Sequence, residues 1–276
     1  LGNGDGTFAT PVLQSLPGVG GDWAIAAGNL NADNFTDVVA TSANQDSVFV
    51  LLGSGNGTFL NGVGYATGDR PFDVKIALIN SDSYPDLIVP NDISNTISVF
   101  YGIGSGTFLP AVSLACGAGP RTVDVADFNN DGYADITSVN NNADNVSVLL
   151  NNGNGTFAAA VNYPLTASSS PSTVAAGYFN ADTFPDLIVS QYLKNNVAVL
   201  VNNGDGTFSS LSTYATDFRP NDAAFFDFNY DGFTDIVSCN QAGSVTVILN
   251  SGVSLVAAGS TQLCTGDSVQ LIASGG

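Results

Sequence analysis

The feature that most constrains this chain is a repeat of about 49 residues that runs through nearly all of it. A Gly-x-Gly-Thr-Phe motif places its phenylalanine at Phe8, Phe59, Phe108, Phe157 and Phe208, in steps of 51, 49, 49 and 51 residues. A second motif ends in an aspartate followed by an aliphatic residue, at Asp37, Asp86, Asp135, Asp186 and Asp235, in steps of 49, 49, 51 and 49. Two independent markers that keep the same spacing indicate tandem copies of one supersecondary unit.

Within a period the pattern resolves into four short strands and no helical periodicity. In the third repeat Thr122–Phe128, Ile136–Asn140, Val146–Leu150 and Thr156–Tyr163 read as strands, separated by polar turns rich in Gly and Asn. In the fifth repeat the first three are Ala223–Phe228, Ile236–Asn240 and Val245–Asn250. Four strands joined by short turns make one antiparallel sheet, and such a sheet needs a neighbour on each face. Sheets of this period stack radially as propeller blades. The expectation is an all-β fold: a propeller of four-stranded antiparallel blades over residues 1–252, with five repeats. Its ring is either closed by the N-terminal strand, which completes the last blade, or part of a larger ring. Residues 253–276 leave the repeat and read as a linker or the opening of an immunoglobulin-like β module around Cys264. Beginning at Leu1, inside a motif, the chain reads as processed or truncated.

Composition narrows the function. There are 24 acidic residues, all Asp, against five basic ones, with no His and a net charge of −19. That charge excludes nucleic acid as a partner, and no apolar run is long enough to insert into a membrane. Without His the commonest general acid–base residue is missing, so the chain is expected not to be an enzyme. The three cysteines are too few and scattered for a disulfide scaffold and read as buried thiols, with one left for a partner outside the chain.

Half of the aspartates fall in the loop between the first and second strands. The third repeat reads Asp127, Asn129, Asp131, Tyr133 and Asp135 at positions 1, 3, 5, 7 and 9, with Gly132 at 6. The fifth reads Asp227, Asn229, Asp231, Phe233 and Asp235, with Gly232 at 6. Oxygen side chains at 1, 3, 5 and 9, a carbonyl from 7 and a glycine for the sharp reversal suit Ca²⁺, which takes six to eight oxygens. The first loop offers Asn29, Asn31, Asp33, Phe35 and Asp37. The second offers Asn80, Asp82, Tyr84 and Asp86, and the fourth Asn180, Asp182, Phe184 and Asp186, with Leu78 and Tyr178 at position 1. The third and fifth loops rank strongest, the first intermediate, the second and fourth weakest. Five Ca²⁺ would bring −19 to −9. The aromatic residues at position 7 read as packing. A further polar set precedes the first strands, namely Asp22-Trp23, Arg70-Pro71-Phe72-Asp73, Pro120 to Asp124 and Arg219-Pro220-Asn221-Asp222, and reads as pairs that fix the turns, with the binding of a sugar or peptide carboxylate as the alternative.

The pattern Asp-Phe-Asn-x-Asp-Gly-x-x-Asp-Ile at Asp127–Ile136 and Asp227–Ile236, with its Gly-Thr-Phe turns, resembles the FG-GAP/VCBS repeats of integrin-α-type propellers and bacterial surface proteins. The resemblance implies Ca²⁺ at the same side chains, a ring that is usually seven-bladed, and an extracellular, secreted or cell-surface adhesion module. The expected partner is a protein or glycan ligand of the cell surface or matrix. The alternatives are self-assembly as a subunit of an extracellular filament or surface layer, and an accessory propeller of a larger secreted enzyme.

Overall fold

The computed structural model describes residues 2, 4–11, 13–16 and 21–251, with residues 22, 23 and 210 through their backbone alone. Nineteen strands form five antiparallel sheets, one per repeat. The first blade is β1 (Asp22–Gly28), β2 (Asp37–Ser42), β3 (Ser47–Leu51) and β4 (Val63–Ala66). The second is β5 (Lys75–Ala77), β6 (Asp86–Asn91), β7 (Thr96–Phe100) and β8 (Val112–Ala115). The third is β9 (Pro120–Ala126), β10 (Asp135–Asn140), β11 (Asn145–Leu149) and β12 (Val161–Pro164). The fourth is β13 (Pro171–Gly177), β14 (Asp186–Gln191), β15 (Asn196–Asn202) and β16 (Phe208–Ala215). The fifth has three strands, β17 (Pro220–Phe226), β18 (Asp235–Asn240) and β19 (Ser244–Ile248). In each blade the strands pair in chain order.

The cores lie between blades rather than within them. In β6 Leu87 and Val89 face the first blade, in a cluster with Val39, Val48 and Val50. Ile88, one residue out of phase, faces the third blade beside Val123, Ile136 and Leu149. The same split recurs in β14, where Leu187 and Val189 join the third blade and Ile188 the fifth. This is the period-2 alternation of a strand used on both sides, so β6, β10 and β14 are buried along their whole length. Fitting pairs tighten the seams. A Cβ on Gly28 would come within 3.3 Å of Ile76 in the next blade, and one on Gly177 within 2.5 Å of Phe225.

Strand ends depart from the sequence pattern for local reasons. β9 stops at Ala126, two residues short of Phe128, because the Asp127 carboxylate accepts the N–H groups of Asp131 and Gly132 and draws the chain into the loop. β12 starts only at Val161. Before it, Thr156 closes the turn onto Asn154, and Phe157 makes an isolated bridge to Asn151.

The expected closure by the N-terminal strand is not made. Among the described residues β19 pairs only with β18, while Gly2 and Phe8 bridge to each other and Phe8 is 81% exposed. The blades form an open succession, and among the described residues the fifth lacks a covering neighbour. Val245 and Val247 are 65% and 52% exposed, whereas their counterparts Val146 and Val148 are buried. The expected module at 253–276, with Cys264, lies outside the described residues. Of the other cysteines, Cys116 packs against the core between the second and third blades, and burial pushes its thiol up to about 12. Cys239 is exposed rather than buried, because it lies on the fifth blade.

Consecutive blades are also stitched by asparagine. Asn202 in the fourth blade donates from Nδ2 to the carbonyl of Phe128 in the third at 2.8 Å and to that of Pro185 at 3.0 Å. Asn151 does the same toward Ile79 and Ala134, and Asn250 reaches Phe179. Asn202→Ala leaves two buried carbonyls without a donor. It is expected to cost about 2–3 kcal/mol, read as a lowered urea midpoint, and no loss would show that these bonds do not hold the seam.

Candidate functional site

The five aspartate loops lie where each first strand turns into its second. Position 9 is the most uniform element. Asp37, Asp86, Asp135, Asp186 and Asp235 are all fully buried, and each carboxylate bridges two backbone N–H groups. In the third blade Asp135 accepts from Phe128 at 2.9 Å and from Asn151 at 2.7 Å, linking the loop to the turn after the third strand. The other blades repeat it: Leu30 and Gly53 on Asp37, Ile79 and Gly102 on Asp86, Phe179 and Asn202 on Asp186, Phe228 and Asn250 on Asp235. Burial pushes the Asp135 carboxyl up to about 6, against the pull of its two N–H bonds, with the nearby Asp131 and Asp127 charges adding to the rise. Asp86 and Asp186 are raised by burial in the same way.

Positions 1, 3 and 5 are more exposed and wind the loop. Asn129 Oδ1 accepts the Asp131 N–H and Asp131 Oδ1 that of Tyr133, while Asn129 Nδ2 donates to Asp131 Oδ2. Asp127 closes the loop on Asp131 at 3.1 Å and Gly132 at 2.8 Å. The fifth loop has the same network through Asp227, Asn229, Asp231 and Phe233. In the first, second and fourth loops the turns at Asn31–Asp33–Phe35, Asn80–Asp82–Tyr84 and Asn180–Asp182–Phe184 form, with no carboxylate at position 1 to close them.

Backbone geometry grades the loops as well. Positions 4 and 6 are left-handed in the third loop (Asn130 φ 57°, Gly132 φ 89°) and in the fifth (Tyr230 φ 60°, Gly232 φ 89°). In the first only position 6 is (Asn34 φ 63°), and in the second and fourth neither is.

The donor set fits a hard cation. Each carboxylate has about four lone-pair sites. The bonds above occupy two on each of Asp127, Asp131 and Asp135, which leaves about six, together with the amide oxygen of Asn129 and the carbonyl of Tyr133. Among the described residues no three acidic side chains already converge into a metal cluster. The half-buried Asp127 and the exposed Asp131 would be the groups that move if a shell were completed, with Asp135 as the fixed end.

The aromatic residues at position 7 pack as expected. The ring of Tyr133 lies 2.5 Å from where a Cβ on Gly153 would stand, and Phe35, Tyr84 and Phe184 cover Gly55, Gly104 and Gly204 likewise. These glycines also have φ of 74–90°, which explains the first glycine of Gly-x-Gly-Thr-Phe twice over.

The profile of the FG-GAP-like repeat matches residues 79–138, 135–189 and 179–238, more than half of the chain. The chain belongs to the FG-GAP-like repeat family. No curated protein matches it by sequence. Among solved structures, this FG-GAP-like chain is similar to an Agrocybe aegerita lectin solved for its specific recognition of non-reducing terminal N-acetylglucosamine. The TM-score is 0.60 at 22% identity, over 91% of this chain and 74% of that one. It is also similar to virginiamycin B lyase from Staphylococcus aureus, with TM-score 0.53, 14% identity, and 83% and 69% coverage. A third is BBS1N in complex with ARL6DN, with TM-score 0.56, 12% identity, and 84% and 62% coverage. At these identities the likeness is one of propeller fold.

The polar set before the first strands is only partly self-paired. Arg70 pairs with Asp92 at 3.2 Å rather than with Asp73, and Lys75 pairs with Asp124. Asp73 accepts the Val123 N–H of the next blade, and burial raises its carboxyl. Nothing is described of the Asp22 and Trp23 side chains. The sequence pattern did not expose the bridging asparagines Asn151, Asn202 and Asn250, whose only mark is an Asn where the first two blades have Gly53 and Gly102.

The two kinds of aspartate are separable by mutation. Asp135→Ala orphans two buried N–H groups and is expected to cost about 2–5 kcal/mol, whereas Asp131→Asn in metal-free buffer is expected to stay within about 1 kcal/mol. Chemical denaturation of both variants in EDTA measures the difference, and equal losses would refute the division of roles.

Proposed function

We propose that this FG-GAP-like propeller is a Ca²⁺-binding, non-catalytic recognition module of the extracellular or cell-surface kind, with a glycan or protein as ligand. The observation that carries the reading is the shared grading of chemistry and backbone in the loops. The two loops with carboxylates at positions 1, 5 and 9 are also the two wound left-handed at positions 4 and 6. The second and fourth loops, which lack a carboxylate at position 1, are left-handed at neither position.

In the third loop Asp127, Asn129, Asp131, Asp135 and the Tyr133 carbonyl would hold the ion. In the fifth, Asp227, Asn229, Asp231, Asp235 and the Phe233 carbonyl are the counterparts. Bound Ca²⁺ supplies two positive charges to a loop whose like-charged carboxylates otherwise repel. The chain's own part is to hold position 9 still through two N–H bonds, so that only positions 1, 3 and 5 have ordering left to do. Rigid blades carrying ordered loops suit recognition, and relatives of the fold include a lectin and a protein complex. A second reading, a subunit of an extracellular filament or surface layer, is favoured by the uncovered apolar side of the fifth blade at Phe226, Val245, Val247 and Leu249.

At a hundredfold excess over its Kd, each occupied site stabilises the fold by about 2.7 kcal/mol. Titration of EGTA-stripped protein is expected to raise the Tm by about 5–10 °C per tight site. Asp127→Ala and Asp227→Ala should each remove one calorimetric site. A Tm that ignores millimolar CaCl2 would sink the proposal.

A further inference from the structure

At the end of the strands away from the cation loops, Arg219 is a cation without an anion. The chain carries 24 aspartates against five basic residues, yet no carboxylate pairs with Arg219 among the described residues. Its guanidinium lies over the rings of Phe218 at 4.8 Å and Tyr192 at 5.1 Å. Nη1 donates to Gln241 Oε1 at 3.2 Å and to Tyr192 Oη at 3.4 Å, which leaves Nε and Nη2 without an acceptor among the described residues. The aspartates closest in sequence are occupied. Asp217 accepts the Phe218 N–H at 2.7 Å and the Ser244 hydroxyl at 2.6 Å, and Asp222 accepts the Ala223 N–H at 2.8 Å.

The second blade provides an internal control. Arg70 occupies the same place before a proline, with the same left-handed backbone, φ 60° against 57° for Arg219. The Arg70 carbonyl accepts the N–H of Asp92, as that of Arg219 accepts the N–H of Gln241, so Asp92 and Gln241 are equivalent positions. Arg70 forms an ion pair with Asp92. In the fifth blade an amide has replaced that carboxylate, and the arginine has stayed. It has stayed where a side chain is unfavourable, since left-handed backbone before proline disfavours a Cβ and the third blade places Gly119 there, φ 71°.

Two of the side chains this guanidinium touches, Tyr192 and Gln241, also bound a cavity of about 330 Å³ together with Asn221, Cys239 and Asn240, of the size that takes a small ligand. Its walls combine an aromatic ring with the amides of Asn221 and Gln241, which offer both donors and acceptors to hydroxyls. An arginine fork with two free donors suits a carboxylate. We propose that this cleft between the fourth and fifth blades binds a carboxylate-bearing sugar of the uronic-acid class, with Arg219 as its anchor. This deepens the recognition reading above and rests on it. The negative field of the whole chain is screened beyond a Debye length of about 8 Å at physiological salt, so distant aspartates oppose an anion here only weakly.

Calorimetric titration of the Ca²⁺-supplemented protein with D-glucuronate, D-glucose and acetate tests it. Glucuronate is expected to bind at least tenfold more tightly than glucose or acetate. Arg219→Gln should abolish that preference. Gln241→Asp, which copies the ion pair of the second blade and leaves Arg219 in place, should abolish it too, with Tm and circular dichroism unchanged in both variants. Glucose bound as tightly as glucuronate overturns the sugar-acid site but leaves a recognition module standing. Acetate bound as tightly as glucuronate overturns the sugar part of the assignment. Binding of none of the three, or binding that survives both substitutions, overturns it entirely, while the Ca²⁺ shift in Tm on the same samples is scored independently.

Discussion

The structure depends on one interaction repeated five times: a buried aspartate that ties the loop between the first two strands to the turn after the third. A carboxylate removed from water is costly unless its charge meets strong donors. Asp37, Asp86, Asp135, Asp186 and Asp235 each meet two backbone N–H groups, one from the loop and one from the turn. Those N–H groups would themselves be orphaned without it. The arrangement is therefore obligatory on both sides, and it brings the two sequence motifs, about 20 residues apart, into one unit.

Other features follow from that tie. With the loop pinned to the turn, the position 7 ring comes down on the first glycine of Gly-x-Gly-Thr-Phe, where no Cβ fits. The turn of one blade then reaches the loop of the blade before it. Asn151, Asn202 and Asn250 bond to the carbonyls of Ile79, Phe128 and Phe179, so the second, third and fourth candidate loops are each supported from behind by the next blade. Positions 1, 3 and 5 are less buried than position 9 and are the part that would adjust around an ion. The scaffold thus divides the aspartates into fixed and adaptable groups, although both look alike in the sequence.

The opposite end of the blades follows a different logic. There the connections before the first strands are held left-handed by geometry common to all blades, and the side chains at those places are free to vary. Arg70 with Asp92 and Arg219 with Gln241 occupy the same positions and differ in one residue, the carboxylate exchanged for an amide. Variation on a repeated frame is how such a fold acquires a specific site without altering its architecture.

By itself the sequence determined the blade and its repetition. Period, turn residues and alternation are local properties that survive in any window of 49 residues, and the winding of the two loops at Asp127–Asp135 and Asp227–Asp235 was legible because the spacing of their Asp, Asn and Gly residues is local too. Only the tertiary structure decided what happens between blades. It showed that Asp135 spends both oxygens on amides contributed 7 residues before it and 16 after. It also showed that Cys239, Val245 and Val247 are exposed, and that among the described residues β19 pairs with β18 alone and not with the N-terminal motif. In the sequence Arg219 reads as a turn-fixing cation or a carboxylate anchor alike, because whether a charge is compensated depends on groups that only folding brings within reach.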